Sequence, residues 1–87
     1  MTRPEAEIFG KRLRTVREEH GLSQETLAAT VNDAGGRLTS KYVSDLERGV
    51  KAPTLTMILK LSKGLKTPVA DLLADFTPAV VNRLRLE

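Results

Sequence analysis

The sequence has no cysteine. A disulfide framework and a thiolate metal site are therefore excluded, and nothing points to an oxidising compartment. Aromatic residues make up only 3% of the 87-residue chain, so a core must be built mainly from Leu, Val, Ile and Ala. A small aliphatic core suits packed helices, whose apolar stripes interlock without large rings. No apolar run approaches the roughly 18–20 residues that a membrane-crossing helix needs. Met1–Phe9 is charged where a signal peptide would be apolar. These absences lead us to expect a cytoplasmic protein without membrane contact. A Gly-rich phosphate loop, a metal-ligand cluster and a catalytic motif are also missing, and His20 is the single histidine. No enzyme activity, cofactor or metal is expected.

The formal net charge is +3, a mild excess that matters through its distribution. Between Arg37 and Lys66 there are seven basic residues against Asp45 and Glu47, a net +5. The segments 1–36 and 67–87 each carry −1. Positive charge thus gathers in the middle of the chain, as an electrostatic footprint for phosphate would.

Helical periodicity organises the whole chain. Phe9, Leu13 and Val16 form one apolar stripe on a helix expected over 5–19, with Pro4 near its start and Gly21 as its stop. Ser23 reads as the cap of a second helix with Leu27, Ala28 and Val31 inward. Asn32–Gly36 breaks the pattern and reads as a loop. Thr39 is the next cap, ahead of a short helix with Val43 and Leu46 inward and Gly49 at its end. Pro53-Thr54 opens a fourth helix, with Leu55, Ile58, Leu59 and Leu61 expected to face the core. Thr67-Pro68 restarts the chain before Leu72 and Leu73. Thr77-Pro78 opens a last candidate helix with Val80, Val81, Leu84 and Leu86, which either docks on the domain, pairs with a second copy, or frays. The division expected is a domain over 1–76 and a short tail or helix over 77–87.

The informative feature is the order helix, Gly, capped helix, loop, capped short helix, Gly. On the short helix Ser40, Lys41, Ser44 and Asp45 take largely outward positions. A short helix with polar groups near its N-terminus can enter the major groove of DNA, and its free N–H groups favour phosphate. The run from Phe9 to Ala28 resembles the start of a lambda-repressor-like, Xre/Cro-type helix-turn-helix domain. Tyr42-Val43-Ser44-Asp45-Leu46-Glu47-Arg48-Gly49, followed by Pro53-Thr54-Leu55, resembles its recognition helix and the start of its fourth helix. Leu65-Lys66-Thr67-Pro68 through Leu72-Leu73 resembles its fifth helix. The resemblance covers about residues 8–73.

It implies an all-α, compact five-helix domain, here with a short sixth helix as a further candidate. It also implies a sequence-specific DNA-binding transcriptional regulator, expected as a repressor. The expected partner is double-stranded DNA, and because one recognition helix covers only a few base pairs, a homodimer on an inverted repeat is expected. The resemblance carries base contacts to Ser40, Lys41, Ser44 and Asp45. It carries backbone contacts to Gln24, Thr39, Tyr42, Arg48 and Lys51. Arg37 joins that second group through its place in a loop about five residues longer than the usual turn. Arg17 and Glu47 resemble a structural ion pair. Asp45 has two readings: it accepts from a cytosine amino group, or it orients Lys41 or Arg48. Gly64, where small residues such as Ala are usual, either ends the fourth helix early or allows close packing. Two other functions compete, an antitoxin of a toxin–antitoxin pair and a protein-interaction adaptor on the same fold.

Overall fold

The computed structural model describes residues 3–33 and 37–86. Those residues form six helices and no strand: α1 (Pro4–Glu19), α2 (Gln24–Asp33), α3 (Ser40–Glu47), α4 (Leu55–Leu65), α5 (Val69–Leu72) and α6 (Pro78–Arg83). The fold is all-α. Asn32 and Asp33, expected at the start of the loop, instead belong to α2, because the helix runs two residues beyond Val31. Residues 34–36 of the expected 32–37 loop lie outside the described residues.

Short-range chemistry sets most helix starts, and the stop of α1. Side-chain oxygens of Ser23, Thr39, Thr54 and Thr77 accept from the N–H three residues on, at Thr26, Tyr42, Met57 and Val80. Each bond satisfies one of the N–H groups that a helix start leaves without an intrahelical partner. Gly21, at φ 68°, ends α1. Its N–H donates to the Glu18 carbonyl and that of Leu22 to the Arg17 carbonyl, a paired closure that requires the left-handed conformation glycine adopts without strain.

Thr67 departs from expectation. Its hydroxyl donates to the Leu65 carbonyl at 3.1 Å, and α5 starts from Pro68 with no side-chain cap. Thr67 is nearly buried, so its hydroxyl must be satisfied within the protein. Gly64 lies in the last turn of α4, one residue before the helix ends at Leu65. A Cβ there would stand 3.0 Å from Val31 Cγ2 and 3.2 Å from Val31 Cα, so glycine lets α4 lie close against α2. The left-handed residue that ends α4 is Lys66, at φ 51°.

Phe9, Leu13 and Val16 of α1 meet Leu27, Ala28 and Val31 of α2, Val43 and Leu46 of α3, Leu61 and Leu65 of α4, and Leu72 of α5 in one buried cluster. The inward face of α4 is set by Ile58, Leu61 and Leu65, with Met57 beside it. Leu55 and Leu59, expected inward, are 70% and 51% exposed. Both faces of α4 carry leucines, and only one fits the space between α2 and α5.

α1 packs directly on α3. The approach is close at Gly10, where a Cβ would stand 2.6 Å from the Glu47 carbonyl oxygen and would also run into that of Leu46. Gly10→Ala is expected to lower unfolding stability by about 1–3 kcal/mol, as overpacked contacts do. Urea denaturation measures this. A midpoint equal to that of the parent would mean that α1 and α3 are not so closely seated.

Candidate nucleic-acid interface

α3 has two carboxylates near its end, two residues apart, and they face opposite ways. Glu47 points into the protein and its side chain is only 4% exposed. Arg17 of α1 grips it with a fork: Nε donates to Oε2 at 2.6 Å and Nη2 to Oε1 at 3.1 Å. Gln24, first residue of α2, donates from Nε2 to the same Oε1 at 3.1 Å. The remaining terminal nitrogen of Arg17 donates to the Leu22 carbonyl at 2.7 Å. Three helices therefore meet at one carboxylate. The Glu47 hydrogen bond, the largest influence, holds the Arg17 guanidinium more firmly protonated than usual, with desolvation working against it.

Asp45 emerges on the other side of the helix. Its carboxylate is 3% exposed because three cations cover it. Lys41 Nζ donates to Oδ2 at 3.2 Å. Arg48 Nη2 donates to Oδ1 at 2.7 Å, and Lys51 Nζ lies 3.7 Å from Oδ2. The bond from Lys41 is the main cause that lowers the Asp45 pKa below its ordinary value, opposed by desolvation and assisted by Arg48 and Lys51. Lys51 also stands over the Tyr42 ring, 5.3 Å from its centroid, within cation–π range. One negative charge thus organises three positive ones whose side chains are 81%, 62% and 52% exposed.

The other residues singled out in the sequence have separate places. Thr39 caps α3. Ser40 lies at the first position of α3 and lines an open recess with Arg17, Ser23, Gln24 and Glu25. Ser44 and Tyr42 are half-buried and Arg37 is exposed. The structure thus brings Lys41, Asp45, Arg48, Lys51 and Tyr42 together, and separately joins Gln24 to Arg17 and Glu47. Two contacts had no signal in the sequence. Arg12 of α1 makes a forked bond to Asp75, at 2.6 and 3.2 Å, and Asn32 bonds both backbone groups of Leu38. The first joins residues 63 positions apart, a separation at which no helical periodicity operates.

Arg17→Ala would leave Glu47 buried with only the Gln24 amide against it. The expected loss is about 3–5 kcal/mol, the usual consequence of breaking one side of a buried pair. This is a large part of a small domain's stability and is measurable by urea or thermal unfolding. A change below about 1 kcal/mol, typical of exposed pairs, would show that Glu47 is hydrated.

Comparison with known proteins agrees with this geometry. A family model described as helix-turn-helix matches residues 13–72. The control protein C.BamHI of Bacillus amyloliquefaciens is 39% identical over 71 residues, covering 80% of each chain. The crystal structure of the restriction-modification controller protein C.AhdI from Aeromonas hydrophila superposes with a TM-score of 0.70 at 40% identity, covering 78% of this chain and 91% of that one. The clp gene regulator ClgR from C. glutamicum superposes with a TM-score of 0.72 at 27% identity, covering 94% of this chain and 95% of its own. A matched model that spans most of the domain and relatives near 40% identity place the chain in the lambda-repressor-like helix-turn-helix family of DNA-binding transcriptional regulators.

Proposed function

We propose that the protein is a cytoplasmic controller of transcription that binds an inverted-repeat operator as a homodimer and represses where that operator overlaps a promoter. The observation that carries this reading is α3 itself. Val43 and Leu46 hold it from behind, Glu47 fixes its end, and its outer side presents Lys41 with Arg48 and Lys51 adjacent. The similarity to C.BamHI and C.AhdI favours restriction and modification genes as the targets.

Ser40, Lys41 and Ser44 read base edges in the major groove. Asp45, also expected among the base contacts, is better assigned to aiming Lys41 and Arg48, because three cations already cover its carboxylate. Gln24, Thr39, Tyr42, Arg48, Lys51 and Arg37 contact the phosphate backbone, which fixes register without reading sequence. Gln24 does so while bracing Glu47.

One short recognition helix spans only a few base pairs. A second copy on a half-site one helical turn away, about 34 Å, extends the readout. Leu55 and Leu59, one turn apart on the outer face of α4, are the apolar pair we assign to that dimer. Val81 and Leu86 in the 77–87 segment are the other exposed apolar side chains near the chain end.

Selection of binding sites from randomised duplexes tests the reading, followed by titrations at several salt concentrations. The expected result is an inverted repeat. Lys41→Ala is expected to change the selected bases. Arg48→Ala is expected to weaken all duplexes alike and to reduce the salt slope by about one, as loss of one phosphate contact does. An identical motif for the parent and Lys41→Ala would remove Lys41 from base reading. Absence of salt-dependent binding to any duplex would favour the adaptor function instead.

A further inference from the structure

Asn32 stands in the last turn of α2, with its side chain at the surface. Its amide acts toward Leu38 as a neighbouring peptide would. Nδ2 donates to the Leu38 carbonyl at 2.9 Å, and Oδ1 accepts from the Leu38 N–H at 2.5 Å. At neutral pH, where Asp and Glu are ionised and only accept, Asn and Gln are the side chains with a donor and an acceptor side by side on one planar group. Leu38 is 3% exposed and belongs to the core cluster with Val31, Val43 and Leu46. Both polar groups of its backbone would otherwise need partners at the edge of an apolar core. The next residue, Thr39, caps α3, and Ser40 and Lys41 follow directly.

We propose that Asn32 is a positioning residue for DNA reading: its amide clasp on Leu38 sets where α3 starts relative to α2, whatever the length of chain between them. The inference rests on the DNA-binding reading above. Val43, Leu46 and Glu47 hold the middle and far end of α3. The near end, which carries Ser40 and Lys41, is fastened to α2 through Leu38. A base contact depends on placement to a fraction of an ångström, whereas a long side chain on a phosphate tolerates small shifts. Release of the clasp therefore erodes discrimination between sequences more than it erodes general affinity. A residue that only satisfied the Leu38 backbone would lower stability and leave discrimination intact in the folded protein.

The test uses the full chain and two duplexes, the selected operator and a random sequence, titrated by fluorescence anisotropy where circular dichroism shows the variants folded. Asn32→Ala removes both bonds. Asn32→Asp keeps the acceptor for the Leu38 N–H but sets a charged oxygen against the Leu38 carbonyl, and it serves if the alanine variant unfolds. Both are expected to cut the operator-to-random affinity ratio by about tenfold, the scale of one lost base contact. Affinity of Asn32→Ala for the random duplex should stay within about twofold, since phosphate contacts supply nearly all of it, whereas the added charge of Asn32→Asp weakens both duplexes together and leaves the ratio as the readout. The Leu38 amide should also exchange faster with solvent, while those of Leu13 and Leu61 stay protected. An unchanged ratio in either folded variant overturns the proposal. A ratio near one for the parent protein would instead remove DNA reading itself, and the role of the clasp in it.

Discussion

The Glu47 carboxylate is the constraint on which the arrangement of this small protein depends. Apolar burial is strong but non-directional. Val43 and Leu46 alone would keep α3 on the core while permitting it to slide or turn. A forked guanidinium bond has a fixed geometry, and Glu47 adds the Gln24 amide to the fork from Arg17. A desolvated ion pair gains little net stability over an apolar substitute. Its contribution here is register: α1, α2 and α3 are referred to one point, and the outward face of α3 follows from it.

Asp45 completes the arrangement from the opposite side. Lys and Arg side chains lose considerable rotamer entropy when they are fixed in a contact. Lys41, Arg48 and Lys51 are already gathered around one carboxylate, so part of that ordering precedes any encounter with DNA. The cluster still carries a surplus of two positive charges over Asp45, which suits an anionic backbone. Gly10 provides the third requirement, close seating on α3 of α1, the helix that carries Arg17.

Much of this is legible in the sequence, where the determinants are local. The Ser and Thr caps at 23, 39, 54 and 77 act over three residues, and the stripes Phe9-Leu13-Val16 and Leu27-Ala28-Val31 follow the helical repeat, so both can be read directly. Family resemblance points to Arg17 with Glu47 and to the outward residues of α3. The less legible parts depend on what lies across the fold. α4 has leucines on two faces, and nothing within 55–65 says that Ile58, Leu61 and Leu65 turn inward while Leu55 and Leu59 do not. The covering of Asp45 depends on Lys41, Arg48 and Lys51 converging in space. Thr67 has the residue type of a cap but is drawn to the Leu65 carbonyl by its burial. The bonds Asn32–Leu38 and Arg12–Asp75 obey no periodic rule and become visible only when the helices are in place.

If the outward side of α3, braced by Glu47, is the surface that meets DNA, binding must be felt there first. Mapping backbone amide shifts by NMR during titration with a specific duplex tests it most directly. The largest shifts are expected at residues 39–45, at the first turn of α2 around Gln24, and at 48–51, with α5 and the Arg12–Asp75 region nearly unchanged. Shifts concentrated on α5 and α6, with α3 unaffected, would contradict it.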